Sequence, residues 1–284
     1  MNRVFDSKRP ADRCVADPIP LLEIGANAGG FVRDSDENVT INSQEELEGL
    51  RRVSRVVAEA RDSMVAALRP GVTTGELDAI GRDTMRRHGA RSAPRVTYNF
   101  PGFTCISIND EAAHGIPSLT RHVHDGDLVN IDVSAELDGF WSDTGISTAV
   151  GTVPGVATKL IEATSIASRD AMDAARAGER IGSIGRVVYT RARRYGFRTI
   201  KNLCGHGVGS ALHQHPSIPN YDDGQRGRLH EGMVLAVEPF LSVSAQVVVE
   251  DRDGWTLRTS DGSLVAQCEH TMVVTAGAPM VLTA

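Results

Sequence analysis

Residues 128–150, LVNIDVSAELDGFWSDTGISTAV, restrict the fold more than any other part of the chain. They read as two β-strands joined at Asp138-Gly139. Asp-Gly between alternating runs is the strongest short hairpin signal, because both turn residues must accept positive φ. With the turn there, Leu137 lies opposite Phe140 and Ser134 opposite Asp143. Side chains alternate faces along a strand, so Asp132, Ser134 and Asp143 share one face. The two carboxylates become diagonal neighbours within reach of a common ion. Val129, Ile131, Val133, Phe140 and Trp141 surround them, and like charges in apolar surroundings are costly to leave unpaired. One reading is a metal site that needs two carboxylates. The other is a pair of solvated aspartates on the open face of the hairpin, and the hairpin alone leaves both open.

The chain has 284 residues, enough for one large domain or two small ones with a sizeable core. Its net charge of -6 argues against a nucleic-acid partner, whose footprint is a basic patch. Cys14, Cys105, Cys204 and Cys268 are scattered without a C-x-x-C pair. This points away from a disulfide framework and toward a reducing, cytoplasmic compartment. The N-terminus lacks the apolar core of a secretory signal. No run of about 18 apolar residues exists to span a membrane. The Asn38-Val39-Thr40 sequon carries no meaning in such a compartment.

Residues 1–42 lack periodicity and carry Pro10, Pro18, Pro20 and Gly29-Gly30. They read as an irregular N-terminal extension, draped over the body or partly disordered. Ser43-Gln-Glu-Glu46 is a capping box opening a helix over residues 43–68, with Leu47, Leu50, Val53, Val57, Met64 and Leu68 as its apolar stripe. Thr74 is the expected cap of a second helix, over residues 75–88, which Gly89 ends. A similar helix pair returns over residues 158–176 and 181–195. Gly71, Gly75, Arg86, Arg87 and Gly89 then align with Gly178, Gly182, Arg193, Arg194 and Gly196. Each pair is followed by β-rich sequence. Two copies are too few for a solenoid but fit a pseudo-symmetric α/β (α+β) fold; chance similarity of two helix pairs is the plain alternative. The expected organisation is an extension, 1–42, and a single domain, 43–284, with half-repeats at about 43–150 and 157–276.

Between the first helix pair and the hairpin come an expected loop, PRVTYNFPGF, and a strand, TCISIN. After the second pair, residues 233–240 read as a buried strand stopped by Pro239. Residues 247–250 and 255–258 flank an Asp253-Gly254 turn, and residues 264–275 form the last strand.

Glu238 and Glu269 each stand inside an apolar strand, where Glu is disfavoured and rarely buried unpartnered. With Asp132 and Asp143 they make four acids that need counter-charge. His206 lies in a Gly205-His206-Gly207-x-Gly209 segment read as a loop, whose glycines permit close backbone approach. A single loop histidine is often structural; here it adds a nitrogen donor to a set of oxygens. Four carboxylates and one imidazole suit Mn, Fe, Co or Zn. They exceed the needs of one catalytic zinc, and two ions about 3.5–4 Å apart would use them all.

The ordered set Asp132, Asp143, His206, Glu238 and Glu269 resembles the metal signature of the dinuclear pita-bread metallopeptidases. The phrases HGIP at His114, NIDV, SDT, GHGVG, EPF and EHT are similar to those of the bacterial type I methionine aminopeptidases, over residues 43–276. The resemblance implies the pita-bread fold, a pseudo-two-fold repeat of helix pair plus antiparallel sheet. It implies two divalent ions. Asp132 would be a terminal ligand, Asp143 and Glu269 bridges, and His206 with Glu238 would complete the second ion. Catalytic roles fall on His114, His213 and Glu238. Hydroxide bridging the metals would attack the first peptide carbonyl, and Glu238 would relay the proton to the leaving amine. His114 and His213, with Phe100, Cys105 and Trp255, would contact substrate and its methionine side chain. The expected substrate is the initiator methionine of nascent polypeptides with a small second residue, taken at the ribosome or free of it, by a monomer.

Ala113, Leu212 and His215 depart from the family pattern, which commonly has Cys, an aromatic and an acid there. They bear on pocket shape rather than on ligands. His122-x-His124 has ligand spacing but lies in a charged stretch and reads as surface. His88, His230 and His270 carry no signal. Two other readings remain: a proline-directed peptidase of the same fold, whose relatives usually carry a longer N-terminal domain, and a metal-free pita-bread binding protein, whose relatives have lost ligands that are all present here.

Overall fold

The computed structural model describes residues 41–284; Cys14, the sequon and residues 1–40 of the expected extension lie outside them. Helix α1, Gln44–Ala67, begins at a reciprocal cap: Glu46 N–H donates to Ser43 Oγ at 3.1 Å and Asn42 N–H to the Glu46 carboxylate at 2.7 Å. Of the stripe predicted from the 3.6-residue period, it buries Leu50, Val53, Val57 and Met64, while Leu47 and Leu68 at its ends are half-buried. Helix α2, Thr74–Arg87, is capped by Thr73 rather than Thr74, with Glu76 closing the capping box. Strand β1 is Arg91–Ser92, and helix α3, Ala93–Tyr98, occupies the segment expected to be a loop. Pro94 in its first turn fits the helix geometry, because the missing N–H would have no partner there. Asn99, at φ 58°, ends it in the left-handed region.

Strands β2 (Cys105–Ile108) and β3 (Glu111–Ala113) lead to β4 (Leu128–Leu137) and β5 (Phe140–Ala149). These last two form the anticipated hairpin: Asp138 and Gly139 have φ of 54° and 84°, Leu137 pairs with Phe140, and Ser134 with Asp143.

The second helix pair follows as α4 (Gly155–Ala174), starting earlier than expected behind Pro154, and α5 (Ile181–Arg194). The remaining strands are β6 (Arg198–Thr199), β7 (Cys204–Gly207), β8 (Gln214–Pro219), β9 (Val234–Val237), β10 (Phe240–Ser242), β11 (Val248–Glu250), β12 (Leu257–Thr259), β13 (Val265–Val273) and β14 (Met280–Val281). Two strands that carry site residues also differ from expectation. His206 sits in strand β7 rather than in a loop. The run 233–240 divides into β9 and β10 around Glu238-Pro239, because proline cannot continue the ladder.

The main sheet runs β1-β4-β5-β13-β9-β7-β8, with β2 on β4 and β10 and β14 on β13; its described pairings are antiparallel. A smaller sheet, β11-β12-β3, lies apart from that path. Two apolar cores repeat one design. The first joins α1 and α2 to β2 and β4 through Val57, Met64, Leu77, Ile106 and Ile131. The second joins α4 and α5 to β9, β10 and β13 through Leu160, Ile184, Leu235, Leu241 and Met272. Each fully buried Leu, Ile or Met stabilises by roughly 1.5–3 kcal/mol. The central pairing of β5 with β13 sets Gly145 beside Glu269, so strands from the two halves meet where the acids lie.

Candidate metal centre

A cleft is lined by Asp132, Asp143, His206, Glu238 and Glu269, together with His114, His213, Phe100, Cys105 and Trp255. Residues far apart in sequence are therefore brought to one place. The hairpin supplies Asp132 and Asp143, β7 supplies His206, the break between β9 and β10 supplies Glu238, and β13 supplies Glu269.

Local packing explains how the chains come so close. Strand β5 has glycine at position 145, between Asp132 on one side and Glu269 on the other. A Cβ there would stand 2.7 Å from Gln267 Oε1 and 3.0 Å from Glu269 Oε2, so a side chain would displace the very carboxylate it faces. Gly207, beside the histidine, leaves no room for a Cβ either, which would meet the His215 carbonyl oxygen at 2.2 Å.

His206 Nδ1 donates to the Gly207 carbonyl at 3.0 Å. That bond puts the lone pair on Nε2, which faces Glu238 Oε1 at 3.3 Å and an Asp143 oxygen at 4.0 Å. Burial pushes the His206 pKa down to about 4, so the ring is neutral near neutral pH. A lone pair aimed at carboxylate oxygens needs a cation between them. Asp143 Oδ1 is buried with no hydrogen-bond partner. One donor atom each from Asp143, His206 and Glu269 lies within 4.8 Å of the others. Burial, followed by the charge of Asp143, drives the Asp132 carboxyl well above its ordinary range. Glu269 rises for the same first reason and then through Asp143, Glu238 and Asp132. In Asp143, burial raises the value, partly offset by a hydrogen bond with Asp132. Too many acceptors with too little positive charge is the condition a divalent cation relieves, and the oxygen-rich, one-imidazole donor set fits one.

Around these groups stands a polar shell that the sequence reading missed. Gln267 donates through Nε2 to Glu238 Oε2 and Glu269 Oε2, each at 3.2 Å. Its Oε1 accepts from Asn130 at 2.6 Å, and Asn130 in turn accepts from Ser147. Thr271 Oγ1 donates to the Asp143 carbonyl at 2.8 Å and accepts from the Asp143 N–H at 3.0 Å. The signal was available: Gln267 and Asn130 stand two residues before Glu269 and Asp132, and so on the same strand faces.

His114 has positive φ, 56°, and its buried Nδ1 lacks a partner; burial lowers its pKa to about 4. His213 is held well below its usual value by burial and by the neighbouring His206 and His114. Its ring meets that of His206 edge-on, with centroids 4.2 Å apart. Phe100 and Trp255 form an apolar corner of the cleft, edge to face at 5.1 Å. Cys105, whose β2 position pairs with Asp132, lines it too, as do Ala113 and Leu212. His215 is exposed and outside the lining. His122 is exposed beside the Gly71 carbonyl and His124 is largely in solvent, as the charged stretch suggested. His270 turns to Thr283 rather than to the cleft.

The profile of metallopeptidase family M24 matches residues 19–276. The chain is 49% identical over 245 residues to methionine aminopeptidase 2 of Bacillus subtilis, covering 86% of this chain and 98% of that relative. The crystal structure of methionine aminopeptidase from Thermotoga maritima superposes with a TM-score of 0.84 at 30% identity, over 86% of this chain and 99% of that one. The prolidase of Pyrococcus horikoshii shares the fold, with a TM-score of 0.70 at 21% identity over 88% of this chain and 64% of that one.

Proposed function

The chain belongs to metallopeptidase family M24, and from that premise we propose that it removes the N-terminal methionine from polypeptides. The carrying observation is that one cleft gathers five ligand side chains short of positive charge, two further histidines and an apolar corner. A near full-length relative named for this activity supports the substrate. The same relative weighs against proline-directed cleavage, for which the likeness extends to fold alone.

Asp132, Asp143, His206, Glu238 and Glu269 would hold two divalent cations, of Co, Mn, Fe or Zn. Such ions supply Lewis acidity toward the scissile carbonyl and make water acidic enough to ionise near neutral pH. The chain's own residues do the rest. Phe100, Trp255 and Cys105 receive the methionine side chain, for which aromatic and sulfur contacts are favourable. His213 donates to the carbonyl oxygen as negative charge develops there. Glu238 accepts a proton from the attacking water and passes it to the amine nitrogen as the C–N bond breaks. His114, with its partnerless Nδ1, hydrogen-bonds near that nitrogen. The shell of Gln267 and Asn130 holds Glu238 and Glu269 in place while this happens.

The wider reading is a cytoplasmic monomer acting on nascent chains with a small second residue, at the ribosome or free of it. Residues 43–284 form its catalytic domain and residues 1–42 an extension. Among the described residues no helix is long and apolar enough to cross a membrane. Hydrolysis of Met-Ala-Ser against Ala-Pro-Phe, with and without a chelator, tests the reading. Release of methionine, abolished by chelation, is expected. Cleavage of the proline peptide alone overturns it, and no cleavage with any of the four metals points to a binding protein.

A further inference from the structure

Tyr98 was not among the residues singled out by sequence, and it lies in the helix that the sequence reading missed. It closes α3 and lines the cleft, and its hydroxyl is in hydrogen-bond contact with His213 Nδ1. The two rings lie 5.6 Å apart, tilted by 32°. Residue 212, immediately before His213, is a buried leucine. The aromatic wall beside His213 therefore comes from α3.

The helix that carries Tyr98 is held at both ends. Ser92 Oγ donates to the Phe103 carbonyl at 2.7 Å, and Arg95 donates to the Pro101 carbonyl at 3.0 Å with its guanidinium 4.5 Å above the Phe103 ring. Asp78 Oδ1 accepts from Phe103 N–H and from both Thr104 N–H and Oγ, which pins the following segment to α2.

A neutral imidazole has one donor nitrogen and one acceptor nitrogen, and the partner of one decides the role of the other. The two histidines in ring contact are served in opposite ways. His206 meets a carbonyl oxygen at Nδ1, which leaves Nε2 as a lone pair for a cation. His213 meets a hydroxyl at Nδ1. We propose that Tyr98 is a positioning residue: its O–H donates to His213 Nδ1 and so fixes the tautomer in which Nε2–H points to the substrate carbonyl oxygen. This rests on the peptidase reading above for its catalytic consequence, but the tautomer itself does not.

The test is the nitrogen spectrum of histidine-labelled, zinc-loaded full-length protein, together with kinetics on Met-Ala-Ser. The native protein is expected to show His213 protonated at Nε2. In Tyr98→Phe, which removes only the hydroxyl, the two tautomers should mix. The kcat should fall roughly tenfold, since a wrong tautomer disarms a histidine whose geometry is intact. KM and zinc affinity should stay within about twofold, because no ligand is touched. A native His213 protonated at Nδ1 overturns the proposal, and does so even if the variant fails to fold. An unchanged tautomer and kcat in Tyr98→Phe also overturns it. Native protein with the expected tautomer but no methionine release would sink the peptidase reading and leave the positioning role standing.

Discussion

Asp132 and Asp143 reach the cleft on adjoining strands of one hairpin, whereas His206 and Glu269 arrive from strands β7 and β13, and Glu238 from the break between β9 and β10, separated by long stretches of chain. The hairpin pair needs only a turn and the two-residue period to be set side by side. The other three are placed by β13 pairing with both β5 and β9, and by β7 pairing with β9. The local half is robust because few residues determine it. The assembled half depends on side chains that bridge strands, of which Gln267 touches both Glu238 and Glu269. Locality of assembly thus predicts where the centre is fragile.

The largest effect should come from the hairpin half. Asp143→Asn removes a charge from the group that faces His206 and Glu269, and turnover should fall by about a thousandfold or more, with loss of bound metal. Elemental analysis beside a Met-Ala-Ser assay measures both, and a fully active variant would break the assignment of Asp143 as a ligand.

Next comes the shell of the assembled half. Gln267→Leu keeps the volume near native but deletes the donor shared by two acids, so metal affinity should drop by roughly 10–100-fold. Titration calorimetry with manganese decides it. An unchanged affinity would mean that Glu238 and Glu269 are aimed by their strands alone.

The metal-free protein offers a comparison by pH. Asp132 and Glu269 have folded pKa values well above their unfolded ones, so the native state holds extra protons in that interval and stability falls as pH rises through it. The buried His114 and His206, lowered to about 4, act in the opposite sense below their ordinary values. From about one pH unit above their ordinary value of about 6.5, those histidines are neutral folded or unfolded, and the carboxyls set the sign. Chelated protein should therefore lose stability as pH rises through the folded pKa values of these two carboxyls, by up to about 1.4 kcal/mol per pH unit for each one still protonated when folded. Saturating manganese should remove most of the slope. Urea melts at a series of pH values on the alkaline side of neutrality check this, and a curve that rises there without metal would contradict the burial of these acids.

The smallest effect tests the robustness of the local half. Gly139→Ala meets no atom within 4 Å and pays only for φ of 84°. It should cost about 1–2 kcal/mol in thermal unfolding while leaving metal affinity and kcat near native. A large loss of metal binding would show that the turn, and not the pairing of β4 with β5, holds the two aspartates together.

The legibility of the chain follows the same division. The hairpin register was readable to the residue, because Asp138-Gly139 fixes the turn and the turn fixes every pair beyond it. Helix α1 was readable from its apolar period and its capping box, and α5 from its alignment with the first helix pair up to Gly196. Helix α3 was not: six residues carry no period, and its Pro94 reads as a loop former unless its place in a first turn is known. The α2 cap at Thr73 rather than Thr74 was legible but overlooked, since Thr73-x-x-Glu76 has the same capping-box spacing as Ser43-x-x-Glu46.

The sequence by itself determined the hairpin, the helix pairs and which acids stand among apolar neighbours, because turn chemistry and side-chain periodicity act over a few residues. Tertiary structure alone decided that Gln267 spans two acids, that His206 lies in a strand with its Nε2 lone pair turned inward, and that Tyr98 reaches His213. Those contacts join strands and a short helix whose meeting depends on the sum of many weak packing terms, and no local pattern encodes such a sum.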